Sequence, residues 1–124
     1  MLNVLAIFIG GGLGSLSRYA VSVLLKMYSM DFPVATLTVN IIGSLILGFA
    51  AALFWRETHL HPTLKLAITV GFCGGLTTFS TFSWETFELI KNGEWVLALL
   101  YTLISVLACV LAVSSGVFLA KYVG

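Results

Sequence analysis

The sequence is short of charge. Its 124 residues carry six Lys and Arg and five Asp and Glu, and charged residues make up only 9% of the chain. A soluble domain carries about a quarter charged residues, so composition argues against a water-exposed surface of ordinary extent. Cysteine is scarce too. The two that occur, Cys73 and Cys109, both fall inside apolar runs, where a disulfide framework or zinc site is not expected and packing of a small apolar thiol is. Of the two prolines, Pro33 stands at the very start of one such run and Pro62 between runs. The near-neutral net charge of +1 leaves no electrostatic footprint for nucleic acid.

What is present is hydrophobic: 60% of the residues. The charges, at Arg18, Lys26, Asp31, Arg56, Glu57, Lys65, Glu85, Glu88, Lys91, Glu94 and Lys121, divide the chain into runs at 2–17, 32–55, 66–84 and 95–120. A bilayer-crossing helix takes about 20 predominantly apolar residues. The reading is an all-α membrane protein of one domain, with four spans over about 2–25, 32–55, 64–90 and 95–121. Residues 1–25 lack a basic leader segment and do not read as a cleaved signal. Trp55, Trp84, Trp95 and Tyr122 lie near span ends, the usual place of interfacial anchors.

Basic residues divide evenly between the two sides. Arg56, Lys65 and Lys121 fall on one; Lys26, Lys91 and Arg18 fall on or toward the other. An excess of Lys and Arg normally fixes the cytoplasmic side. The even split is either the small-number scatter of a short chain or the mark of insertion in both orientations. Two inverted copies would then form one antiparallel dimer.

Polar groups inside spans mark helix contacts or aqueous paths. In "GGGLGSLSRY", residues 10–19, Gly10 and Gly14 have the small-xxx-small spacing of close helix packing. Gly10, Gly12 and Ser15 follow no strand, so a dinucleotide loop is rejected. Arg18 either extends to the headgroups or lines an anion-attracting vestibule. In "TLTVNIIGSLILG", residues 36–48, Thr36, Asn40 and Ser44 fall on one helix face. In "GFCGGLTTFSTFSWE", residues 71–85, three glycines weaken the helix and predict a break near 74–80 that frees backbone groups. Such a break is tolerated at membrane depth only where protein, water or an ion satisfies it. Phe79 and Phe82 share a face amid Thr77, Ser80, Thr81 and Ser83, and a ring edge carries partial positive charge that suits a small anion. Tyr101 and Ser105 lie one turn apart in the last span and lead toward Cys109. Ser114 and Ser115 read as packing or backbone-bonded. Glu85 and Glu88 are placed at the end of the third span, within reach of water, and His59 and His61 in a solvated loop. No nucleophile–base pair or enzymatic metal cluster is apparent.

These three segments resemble the signature segments of the Fluc/CrcB fluoride channels, and the length, four spans and charge balance agree over essentially the whole chain. The resemblance implies a dual-topology antiparallel homodimer with two pores in the inner membrane of a bacterium. It implies passive fluoride export down the electrochemical gradient, lowering fluoride toxicity. On this sequence the pore residues it implies are Phe79 and Phe82, the amide Asn40, the hydroxyls Ser80, Thr81 and Ser83, the track residues Tyr101 and Ser105, and Arg18 at the vestibule. Backbone carbonyls of Gly74 and Thr77 from both copies would hold a structural sodium ion at the dimer interface. The family's track continues with a hydroxyl one turn beyond Ser105, where this chain has Cys109. Two alternatives stay open at this point. Small multidrug-resistance transporters use a carboxylate in the first span, and here no Asp or Glu lies in the first, second or fourth. A non-transporting assembly protein explains the glycines but not the Phe and hydroxyl stripe.

Overall fold

The computed structural model describes residues 1–28 and 31–123; Ser29 and Met30 of the predicted first loop and the terminal Gly124 lie outside them. The first span is α1 (Leu2–Leu25), prolonged by a 3-10 turn at Lys26–Tyr28. The second is α2 (Val34–Arg56). The third is built in pieces: α3 (Pro62–Leu66), a π-helical stretch at Ala67–Phe72, α4 (Cys73–Leu76) and α5 (Phe79–Lys91). The fourth is α6 (Trp95–Ala120). The spans run 27, 23, 30 and 26 residues and are long and apolar enough to cross a membrane. The protein is therefore an all-helical, multi-pass membrane protein.

Local chemistry sets the boundaries. Pro33 directly precedes α2. His61 caps α3 by accepting the Thr63 N–H at Nδ1 over 3.2 Å, with Pro62 in the first turn, where its missing N–H costs nothing. Exposed His61 thus orders the loop assigned to it. Just past the end of α5 comes Gly93, whose φ of 81° lies in the left-handed region that a side chain disfavours. The Glu94 N–H donates to Leu89 O at 2.8 Å and the Gly93 N–H to Ile90 O at 3.0 Å. This paired closure satisfies the last carbonyls of α5 and turns the chain directly into α6.

Packing rests on two seams of small residues. α1 lies along α3, the π stretch and α4, while α2 lies along α6 and α6 also packs on α5. At the first seam a side chain on Gly10 would overlap the Ala67 carbonyl, one on Gly14 the Phe72 carbonyl, and one on Gly75 the Gly11 carbonyl. At the second, Gly48 meets the Val113 carbonyl and Gly116 the Leu45 carbonyl in the same way. Lipid gives apolar faces no reason to associate, so close backbone approach supplies the attraction. The spacing read at Gly10 and Gly14 is this packing.

One end of the bundle is cross-tied. Arg56 Nη1 donates to Ala120 O at 3.0 Å and Lys65 Nζ to Phe54 O at 3.0 Å. Each cation meets the carbonyl end of a long helix, where its charge is favourable. Thr63 Oγ1 donates to Asn3 Oδ1 at 2.7 Å and ties the start of α3 to the start of α1.

The third span departs from its expectation in one respect. Gly74 and Gly75 are helical, inside α4; the extended residues are Thr77 (φ −82°, ψ 157°) and Thr78 (φ −153°, ψ 122°). The glycine pair is not the break. Gly75 serves the seam with α1, and the interruption falls where side chains replace helical hydrogen bonds, as described below.

The seams predict an asymmetry among glycines. Gly14→Val should destabilise the protein by about 2 kcal/mol or more through overpacking. Gly12→Ala, where nothing lies within 4 Å of the added carbon, should be neutral or stabilising by up to about 1 kcal/mol. Thermal unfolding of the purified protein in detergent measures both; equal losses would refute the seam.

Candidate functional site at the break in the third span

Asn40, two turns into α2, faces Thr78. The Thr78 N–H donates to Asn40 Oδ1 at 2.8 Å, and Asn40 Nδ2 donates to Thr78 O at 3.1 Å. A side-chain amide offers a donor and an acceptor side by side, the same pair that a peptide unit offers. Thr78 is itself the cap of α5: its Oγ1 accepts the Thr81 N–H at 3.1 Å and lies 3.1 Å from Thr81 Oγ1 and 3.2 Å from Ser80 Oγ. Approach of α2 is close here, because a side chain on Gly43 would overlap Thr77 Cγ2.

These bonds have a consequence for two carbonyls. In an uninterrupted α-helix the N–H of residue i donates to the carbonyl of residue i−4. Thr78 would serve Gly74, and Thr81 would serve Thr77. Both N–H groups are instead taken by side chains, Asn40 and Thr78 respectively. The carbonyls of Gly74 and Thr77 have lost their helical donors. Gly74 and Thr77 line an open groove of about 300 Å³, whose walls also include Asn40, Ser44, Cys73 and Cys109. Nothing lies within 4 Å of a side-chain carbon built on Gly74.

A second cluster lies one to two turns further along α5. Thr36 Oγ1 donates to Glu85 Oε1 at 2.7 Å, and the Tyr101 hydroxyl donates to Glu85 Oε2 at 2.7 Å. Tyr101 is completely buried. Its ring continues an aromatic ladder, with Phe32 edge-on at 5.4 Å, Phe82 at 5.0 Å, and Phe79 5.5 Å beyond Phe82. Phe79 ends the ladder 79% exposed.

Glu85 corrects the sequence reading. It is half-buried, and each carboxylate oxygen is held by a hydroxyl from another span, so it is not a free carboxylate at a helix end. The signal lay in the sequence: Glu85 follows Phe82 by three residues and shares its face. Thr78, which organises the break, was likewise passed over among the hydroxyls.

The other expected residues separate into those the fold gathers and those it does not. Asn40, Phe82 and Tyr101 are gathered. Ser80 and Thr81 surround the Thr78 cap. Ser83 is exposed and donates back to Phe79 O at 2.9 Å, within its own helix. Ser105 is buried, and its hydroxyl has no partner among the described residues. Cys109 borders the groove one turn further on. Arg18 is half-buried on α1, one turn past the Gly14 contact with Leu76. That places it level with the break, but the bonds at the break come from other residues. Among the described residues no group of three or more His, Cys, Asp or Glu side chains is arranged to hold a metal.

The fold and site define a four-span membrane protein whose third span is interrupted at depth, with polar groups gathered around the interruption. Residues 5–117 match the family described as "CrcB-like protein, Camphor Resistance (CrcB)", and the chain belongs to that family. Among curated relatives, a protein of Serratia proteamaculans named "Fluoride-specific ion channel FluC" is 53% identical over 97 residues, covering 78% of this chain and 76% of the relative. "Fluoride-specific ion channel FluC 1" of Yersinia pseudotuberculosis is 55% identical over 92 residues, 74% and 72% of the two chains. "Fluoride-specific ion channel FluC" of Pyrococcus abyssi is 44% identical over 119 residues, 96% of each. The likeness read from the three segments is thus membership of that family.

Removing either donor to Glu85 leaves a half-buried carboxylate oxygen unpaired. Tyr101→Phe and Thr36→Val should each cost about 1–3 kcal/mol. The double variant should depart from the sum of the singles, because both act on one carboxylate. Thermal unfolding of the four proteins in a double-mutant cycle checks this; strict additivity would contradict the cluster.

Proposed function

We propose that the chain is a fluoride-selective channel that lets cytoplasmic fluoride leave passively down its electrochemical gradient and so lowers fluoride toxicity. The reading is supported by relatives of 44–55% identity that bear the name of fluoride-specific channels. The observation that carries it is the exposed edge of the aromatic ladder, Phe79, standing beside hydroxyl and amide donors at membrane depth. The channel performs no covalent chemistry.

Fluoride is small and strongly hydrated, so a path through the membrane must replace its water with close contacts. The donors are at hand. Asn40 uses one amide proton on Thr78 and keeps a second. Ser80 and Thr81 crown the start of α5, where Ser83 donates its proton to Phe79 O, and the Ser105 hydroxyl is unclaimed among the described residues. Ring edges of Phe79 and Phe82 contribute weaker positive charge, enough to accompany an anion without trapping it. Glu85 holds Tyr101 and Thr36 in position and keeps its own charge on them. Arg18, level with the break, raises the local anion concentration.

One chain does not enclose a path: the groove is open and Phe79 faces outward. A second, inverted copy supplies the missing wall, giving an antiparallel homodimer with two pores in the inner membrane. The even division of Lys and Arg permits insertion both ways. Across the two-fold axis the Gly74 and Thr77 carbonyls of both copies face one another. These carbonyls are hard oxygen donors without helical partners, and the groove that Gly74 and Thr77 line has no carboxylate among its walls, a set that fits a monovalent cation such as sodium. When bound, sodium would supply positive charge there; the residues that would hold it, Gly74 and Thr77, are the ones whose release from the helix depends on Asn40 and the Thr78 cap.

Reconstituted in liposomes, the protein should release fluoride and retain chloride. Phe79→Ile and Phe82→Ile keep bulk and remove the ring edge, so the dimer should persist while fluoride efflux falls by about tenfold or more, a loss of at least about 1.4 kcal/mol. Efflux equal to the parent's would reduce the rings to packing. In the same preparation, replacing sodium with a large organic cation should lower the dimer's unfolding temperature; an unchanged temperature would remove sodium from the account.

A further inference from the structure

Phe32 belongs to no helix, yet its ring reaches the cluster around Glu85. It stands half-buried between α1 and α2, after exposed Asp31 and before Pro33. An inverse γ-turn pins its backbone: Pro33 has φ −76° and ψ 69°, and the Val34 N–H donates to Phe32 O at 2.8 Å. These are the torsions of that turn, and the proline ring fixes the first of them. The Phe32 ring lies against Tyr101, with centroids 5.4 Å apart and planes at 82°. That edge-to-face arrangement attracts beyond the area it buries. Four residues on, Thr36 holds one oxygen of Glu85 while the Tyr101 hydroxyl holds the other. One short segment, 32–36, thus supplies the ring that backs Tyr101 and the hydroxyl that shares its carboxylate. Tyr101 also meets Phe82 at 5.0 Å. We infer that Phe32 is a positioning residue of the conduction path: it keeps the Tyr101 hydroxyl on Glu85 and the Tyr101 ring against Phe82. Its contact is with Tyr101 and not with the ion.

Aliphatic bulk does not do the same work. Leu37, Ile90 and Leu97 already pack on this cluster, and an aliphatic side chain at 32 would fill space without a positive ring edge. The other rings of the ladder come from the third and fourth spans, so through Phe32 the loop before α2 acts on the site. The consequence for conduction rests on the channel reading; the hold on Tyr101 does not. The test is a double-mutant cycle of Phe32→Leu and Tyr101→Phe in the full chain, labelled with carbon-13 at the tyrosine Cζ. That carbon senses what its hydroxyl bonds to, and Tyr101→Phe assigns the Tyr101 signal by its loss. In Phe32→Leu the signal should move toward those of the exposed Tyr19, Tyr28 and Tyr122, while the dimer persists. In liposomes Phe32→Leu should release fluoride about tenfold more slowly than the parent. Tyr101→Phe should slow release too, and the double variant should be no slower than the slower single, since both act through one hydroxyl. Phe32→Met, which keeps length and burial, repeats the test if Phe32→Leu does not assemble. An unmoved Tyr101 signal, a Phe32 variant that conducts like the parent, or losses that multiply in the double variant overturns the assignment. If the parent moves no fluoride, the channel reading fails while the Tyr101 signal still decides whether Phe32 holds Tyr101.

Discussion

The structure depends on one pairing: the side-chain amide of Asn40 with the backbone N–H and carbonyl of Thr78. A helix interrupted inside a bilayer leaves polar backbone groups that lipid cannot satisfy, each costing several kcal/mol. Here an amide replaces the missing peptide partner on both counts, at 2.8 and 3.1 Å. The pairing demands that α2 stand close to the third span, which Gly43 permits by leaving room for Thr77. It also demands that α2 not shift, and the Gly48 and Gly116 seam with α6 holds it. The glycines are therefore the means by which Asn40 is aimed.

From the pairing the rest follows in steps. Thr78 leaves the helix and its hydroxyl becomes the cap of α5. The carbonyls of Gly74 and Thr77 lose their helical donors, and both residues line the groove. α5 begins anew with Phe79 outward and Phe82 against Tyr101. Further along α5, Glu85 fixes that helix to α2 and α6 through Thr36 and Tyr101. The break is thus braced on both sides, by an amide before α5 and a carboxylate within it. Polar groups stay available at depth because other polar groups are fully committed.

Much of the fold was legible because the bilayer imposes a coarse rule. Charge-free runs of sufficient length had to be spans, and α1 and α6 fall close to the residues read for them. The small-residue spacing at Gly10 and Gly14 was legible for a similar reason, since few other uses of such a spacing exist in lipid. The break was legible in kind but not in place. Glycine propensity pointed to Gly74 and Gly75, yet these remain helical because packing on α1 favours them there, and the interruption sits at residues whose alternative partners lie elsewhere. Those partners, Asn40 for Thr78 and Thr36 for Glu85, are 38 and 49 residues away. Local periodicity says which face a residue occupies and nothing about which face of another span it meets. Glu85 was misplaced on that account: its nearness to the end read for the third span suggested water, while the meeting of three spans enclosed it.

Amide hydrogen exchange at Thr78, followed site by site in the membrane-reconstituted protein, tests the central pairing most directly. The account predicts a Thr78 N–H that exchanges as slowly as those of the neighbouring helices, and one that exchanges at least about tenfold faster in Asn40→Leu, since each factor of ten corresponds to about 1.4 kcal/mol of lost protection. A Thr78 N–H that exchanges freely in the parent, or at the same rate in both proteins, would contradict it.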